Sequence, residues 1–225
     1  LCVPTTNSVQ QDLADAFRAF LVAGAIRLHR SGRIGPASAI PAQFDAEHEA
    51  FACVAPPHSM LYHPSAAITD HFRGAEDILL WAGIQDRATA RNLLEAGEAR
   101  LPASLVNALQ ADPAPWAQWL DKYRASAEAI EGEFNVLPPL TFPDWQTIET
   151  LLIDEVIPGT RVAVVNSDPS ADDRPAYKPS QDPATGKWRA ARDICTIFVS
   201  GNVMARGLTL EGMTTALFQR SSTNP

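Results

Sequence analysis

The sequence has no apolar run near the ~18 residues that a membrane-crossing helix needs. Its most apolar stretch, around residues 17–26, is interrupted by Arg18 and bounded by Arg27, so a soluble chain with no membrane partner is the expectation. Cysteine is scarce: Cys2, Cys53 and Cys195 are odd in number, widely spaced and show no Cys-x-x-Cys pairing. That argues against a disulfide framework or a zinc knuckle and makes a reducing cytoplasm the expected location. Lysine is nearly absent, and none of Lys122, Lys178 and Lys187 follows a strand with an acid-x-acid pattern, which argues against a metal-dependent nuclease site. There is no Gly-x-x-x-x-Gly-Lys-(Ser or Thr) phosphate loop and no Asp-Glu-x-His motif, so the chain by itself is not expected to hydrolyse ATP. Positive charge is also in deficit: 18 Lys and Arg stand against 26 Asp and Glu, a net charge of -8. A protein that held DNA by phosphate neutralisation alone would carry the opposite sign. The charge is uneven, however, with Arg18, Arg27, Arg30 and Arg33 near the start and the acids concentrated in residues 76–155, so a local basic face is compatible with the composition.

With 46% hydrophobic residues in 225, the chain can bury a core, and it is read as a single domain over residues 1–225. It starts at Leu1 rather than Met and stops just after a strand-like run, so both ends are expected to continue in a longer protein. Residues 9–30 place Leu13, Phe17, Phe20, Leu21 and Leu28 at helical spacing behind Asn7 and Ser8 as candidate N-caps, which predicts an amphipathic helix. Residues 41–57 read as a loop with an acidic patch at Asp45, Glu47 and Glu49. Residues 59–63, framed by Pro56, Pro57 and Pro64, read as a buried strand.

Residues 68–133 are rich in Ala, Leu, Glu and Arg and predict three or four helices, closed by Pro138, Pro139 and Pro143. A further helix over 145–156 is capped by Asp144 and ended by Pro158-Gly159. Strands are predicted at 161–166, 194–200 and 214–219, with a long, mobile loop over 167–187 marked by Pro169, Pro175, Pro179 and Pro183. Helices alternating with buried strands imply an α/β domain with a parallel sheet, and residues 68–143 are too long for one crossover, so they are read as a helical insertion.

The stretch most specific for chemistry is residues 197–213: a buried strand, a small-residue turn, Arg206-Gly207, then Thr209, Glu211 and Gly212. A glycine turn at the carboxyl end of a parallel strand lets backbone amides approach a ligand oxygen, and an arginine there can grip phosphate with two N–H groups. Thr209 or Glu211 can hydrogen-bond a backbone or a sugar, and Glu211 can equally orient Arg206 or cap the following turn. A metal pair of His58 and His63 with His71 or Asp70 is disfavoured, because a five-residue separation along a strand turns the two imidazoles to opposite faces; no metal is expected. Trp81, Trp116, Trp119 and Trp145 lie at helical positions and read as core rather than as a base-stacking platform.

Residues 200–220, Ser-Gly-Asn-Val-Met-Ala-Arg-Gly-Leu-Thr-Leu-Glu-Gly-Met-Thr-Thr-Ala-Leu-Phe-Gln-Arg, resemble motif V of superfamily-two helicases and, more closely, the signature of the Z1 domain family. Residues 58–65, His-Ser-Met-Leu-Tyr-His-Pro-Ser, are similar to that family's Ser-Met-Leu-x-His strand, and residues 164–167, Val-Val-Asn-Ser, to its valine-rich strand. The resemblance implies a RecA-like, three-layer second lobe of a helicase-like ATPase or endonuclease-associated ATPase acting on DNA, in a bacterial restriction, modification or defence system. It implies Arg206 and Glu211 as catalytic residues. Ser59, His63, Ser65, Asn166, Ser167, Gly201, Asn202, Gly207 and Thr209 would form a nucleic-acid or phosphate-binding edge. ATP and Mg would be cofactors of the longer parent protein and absent from this chain alone; the expected partners are DNA, an ATP-binding first lobe and methyltransferase or nuclease proteins. The competing expectation, favoured by the acidic balance, is a degenerate lobe that recruits such partners without catalysis.

Overall fold

The computed structural model describes residues 8–134, 141–166, 174–201 and 209–219. The first helix, α1 (Val9–Ser31), begins where the Ser8 hydroxyl accepts the Gln11 N–H at 3.4 Å and ends at Gly32, whose N–H donates to the Leu28 and His29 carbonyls. Phe17, Phe20, Leu21, Val22, Ala25 and Ile26 are all buried, so this helix is enclosed on more than the one stripe its sequence predicts. The short helix α2 (Pro36–Ala39) follows, with proline in its first turn.

Residues 41–57 are more ordered than their polar sequence indicates. They hold the two-residue strand β1 (Gln43–Phe44) and the helix α3 (Glu47–Cys53). The acidic patch explains the helix: Glu49 accepts the Asp45 and Ala46 N–H groups, and Glu47 and Glu49 sit in the first turn, where the helix dipole favours negative charge.

After β2 (His58–His63) come four helices, α4 (Ile68–Trp81), α5 (Arg87–Glu95), α6 (Ala103–Ala111) and α7 (Ala114–Phe134). Then α8 (Trp145–Leu151), capped by Asp144 accepting the Thr147 N–H at 2.8 Å, runs through a π-helical turn (Leu152–Val156) into α9 (Ile157–Gly159). The helices described between β2 and β3 (Arg161–Val165) pack with the sheet. Phe72, Ile78, Leu94, Leu105, Trp116 and Trp119 share one core cluster with α1 and with Met60, Tyr62, Val162 and Ile197 of the sheet. Trp81 and Trp145 pack against the same cluster.

Segment 167–187 reads as a loop in the sequence. Its described part holds β4 (Ser180–Gln181), which pairs antiparallel with β5 (Trp188–Arg189) just beyond it, and β5 pairs with β1, in the order β1-β5-β4. Two-residue strands leave no alternating pattern to detect. The turn is held by Asp182 N–H donating to the Lys187 carbonyl at 2.8 Å and by the ion pair of Lys187 with Asp45. Residues 167–173 lie outside the described residues.

The main sheet is four-stranded and parallel, in the order β3-β6-β2-β7, with β6 (Cys195–Ser200) and β7 (Met213–Phe218) completing it. This is a mixed α/β fold with a parallel sheet, as the alternation of elements predicts. The helical layer covers one face; on the other, Ala163, Val165 and Phe198 pack against Tyr177 and Leu210. Among the described residues no helix is long and apolar enough to cross a membrane.

One ion pair is fully enclosed. Arg161, 1% exposed at the start of β3, places Nη1 2.7 Å from Oδ1 of Asp193, 0% exposed just before β6. Asp193 also accepts the Ala176 N–H at 2.6 Å and the Thr196 hydroxyl at 3.2 Å, so one carboxylate ties together β3, β6 and the segment covering the second face. Removing one partner strands a buried charge. Asp193→Ala is expected to lower unfolding free energy by about 3–5 kcal/mol, read as a shifted denaturant midpoint.

Candidate functional site

The carboxyl ends of parallel strands are where open α/β sheets bind ligands, at the point where neighbouring connections leave on opposite faces. Here that point lies between β2 and β6. The connection leaving β2 enters α4, whose Phe72, Ala75, Ile78 and Leu79 pack on the helical face, whereas Leu210 of the connection leaving β6 packs on the other.

Four groups meet at this edge. His63 ends β2, 5% exposed, with its ring 5.5 Å from Phe218 and 6.5 Å from the ring of His71. His71, 1% exposed, donates from Nε2 to the Ser65 carbonyl at 3.1 Å and accepts at Nδ1 from the Asn166 side-chain amide at 3.4 Å. Asn166, at the end of β3, is buried, and Gly201, after β6, closes the group. A side chain at Gly201 would start 2.5 Å from the His71 ring, so only glycine admits this approach of strand end to imidazole. Among the described residues, Nδ1 of His63 is buried with no hydrogen-bond partner, which is costly for a polar atom.

Burial pushes the His71 pKa down, and the neighbouring His63 pushes the same way; the bond to the Ser65 carbonyl and the Asp70 carboxylate oppose it. His71 is therefore neutral at pH 7 and fixed as the Nε2–H tautomer. Ser65 is committed to structure. Its hydroxyl donates to Asp70 Oδ2 at 2.6 Å and accepts the Ala67 N–H at 2.9 Å, joining β2 to the first turn of α4.

The predicted site residues do not all share this edge. His63, Ser65, Asn166 and Gly201 come together there, but Ser59 lies at the amino end of β2, fully buried, its hydroxyl donating to the Glu211 carbonyl at 2.8 Å and 3.3 Å from the Tyr177 hydroxyl. Four residues of extended chain separate Ser59 from His63, roughly 13 Å. Glu211, exposed, is at that opposite edge too, because Gly212 accepts the Ser59 N–H as β7 begins. Gly212 has φ 65°, and any Cβ there would strike the Pro57 carbonyl, so this turn is glycine for steric reasons. Thr209 is exposed, two residues before Glu211. Ser167, Asn202, Arg206 and Gly207 lie outside the described residues.

His71 was weighed in the sequence only as a metal ligand. It falls on the apolar stripe of α4 with Phe72, Ala75, Ile78 and Leu79, and a polar side chain on such a stripe is the signal that identifies it. Among the described residues no group of three or more His, Cys, Asp or Glu is placed to hold a metal.

His58, by contrast, belongs to the packing. It stacks on Phe20 at 4.3 Å, donates from Nε2 to the Phe20 carbonyl at 2.8 Å and has Nδ1 3.3 Å from the Thr214 hydroxyl. Burial pushes its pKa down to about 4, against the Phe20 hydrogen bond, with Arg27 nearby reinforcing the shift. The folded value lies below the unfolded 6.5, so between these pH values the unfolded chain binds a proton that the fold does not, and stability falls with falling pH. His58 is expected to remove about 3 kcal/mol between pH 7 and pH 4. Urea unfolding at both pH values, beside His58→Gln with a correspondingly flatter profile, checks this; equal slopes would refute it. A second expectation concerns the edge: Gly201→Ala should destabilise by about 1–3 kcal/mol and shift the His71 imidazole resonances, seen by NMR.

Against this geometry, the family model described as Z1 domain matches residues 12–224. No curated protein and no solved structure matches the chain.

Proposed function

The chain belongs to the Z1 domain family, and on that premise we propose that it is the second, RecA-like motor lobe of a superfamily-two helicase-like ATPase that acts on DNA. The observation that carries the reading is the edge between β2 and β6, where His63, His71, Asn166 and Gly201 gather and a buried His63 nitrogen is left without a partner among the described residues. The strand that ends there, β6, leads into residues 202–208, which contain the Arg206-Gly207 pair of the motif V resemblance. Arg206 is the phosphate contact in this reading, and His63, Asn166 and Gly201 belong to the same binding edge. Ser59 and Glu211, at the amino edge, serve the fold of the β7 entry.

The residues present do not make a nucleotide site by themselves. The sequence has no phosphate loop, and Asp70, the acid nearest the edge cluster, is bonded to the Ser65 hydroxyl. ATP and Mg therefore belong to the partner lobe, and this chain contributes the DNA-facing surface and the closing contact. The net charge of -8 supports one second reading, a lobe that recruits nuclease or methyltransferase partners without gripping DNA.

The test is ATP hydrolysis by this chain together with its ATP-binding lobe, with and without single-stranded DNA. DNA-stimulated turnover is expected to fall about 10- to 100-fold in Arg206→Ala, the loss of one charge-assisted hydrogen bond. The slope of log affinity for single-stranded DNA against log salt should weaken by about 0.7 in the same variant. Turnover unchanged by the substitution would overturn the role of Arg206, and absence of any DNA-stimulated turnover would favour the recruiting lobe.

A further inference from the structure

At the opposite end of the sheet from the candidate site, the amino ends of β3 and β6 border a recess of about 220 Å³. Arg100, Arg189 and Arg192 line it with the Ser180 backbone or side chain, and Pro36 and Ile40 supply an apolar wall. Among the described residues no carboxylate lines it, in a chain whose acids outnumber its bases. Two of these arginines have acids beside them among the described residues: Asp182 accepts from Arg189 Nη2 at 2.9 Å, and Asp193 lies 3.6 Å from Arg192 Nε. Arg100 is different, because it forms no ion pair among the described residues; its Nη1 donates to the Gly159 carbonyl at 2.9 Å.

Arg100 and the buried Arg161 lie close enough to repel each other, and Asp193, which attracts Arg100 as well, is already engaged by Arg161 and Arg192. Burial lowers the Arg100 pKa, with Asp193 opposing the shift. Among the described residues the Arg100 guanidinium hydrogen-bonds a backbone carbonyl, and an anion in the recess would add charge-assisted bonds to it. Guanidinium forks match the geometry of phosphate oxygens, and convergent arginines favour a dianion over a single carboxylate.

We propose that this recess binds a small phosphate dianion, held by Arg100, Arg189 and Arg192. At about 220 Å³ it is below the ~300 Å³ at which pockets take drug-sized ligands, which limits the ligand to phosphate itself or the terminal phosphomonoester of a small molecule. The site is separate from the carboxyl edge and does not depend on the motor reading.

The test is calorimetric titration of the protein at pH 7.5 in about 0.1 M NaCl, with inorganic phosphate in one arm and glycerol phosphate in the other. One saturable site per chain is expected. Arg100→Gln should weaken it about tenfold or more, as one charge-assisted hydrogen bond is lost. Arg189→Gln should weaken it several-fold while unfolding at the wild-type temperature, because this side chain is half exposed and outside the core; it keeps the test decisive if Arg100→Gln fails to fold. Equal affinity in the two arms supports free phosphate as the ligand, and tighter glycerol phosphate supports a monoester. No saturable heat with either probe up to roughly 10 mM, or binding undiminished in both variants, would overturn the proposal.

Discussion

The rest of the structure depends on β2 being paired along its length on both sides. Residues 58–62 are in register with Cys195–Val199 of β6, and residues 59–63 with β7. With both edges used and both faces covered, β2 has no freedom to slip, since a one-residue shift would turn Met60 and Tyr62 away from the helical core and His63 into it. That register places His63 at the carboxyl edge and His58 against Phe20 at the other end. It also leaves β7 as an edge strand with Met213 and Phe218 exposed, 52% and 59%.

The two ends of the sheet solve different problems. At the amino edge the Arg161–Asp193 pair, the Ser59 hydroxyl and the Gly212 turn cross-link segments far apart in sequence. The result is a locked end with one cationic recess beside it. At the carboxyl edge the groups converge without closing: His71 and Asn166 satisfy each other, Gly201 permits their approach, and a His63 nitrogen is left over among the described residues.

Much of the fold was legible. The four long strands fall within a residue or so of where short apolar runs between proline and glycine put them, because strands covered on both faces need continuous hydrophobicity. Ser8 and Asp144 announce their helices through the hydroxyl and carboxylate that accept first-turn N–H groups. What escaped were elements too short to have a period, such as the hairpin of β4 and β5, and α3, whose acids look like a solvated patch until Glu49 is seen closing the turn. The candidate site was legible in part. His63, Ser65, Asn166 and Gly201 lie at one edge because each ends or follows a predicted parallel strand, whereas Ser59 and Glu211, expected at the same edge, lie at the other, where strand direction puts them.

The sequence by itself determined the class of fold, the positions of its main strands and helices, and the family, since periodicity, capping residues and the residues of the glycine turn are local properties that survive without coordinates. Tertiary structure alone decided the strand order β3-β6-β2-β7, the packing of α4 to α7 with the sheet in one core, and the meeting of His71 with Asn166 across 95 positions of chain. Those outcomes depend on which surfaces find each other when the chain closes, and long-range pairing leaves no trace in any short window of sequence.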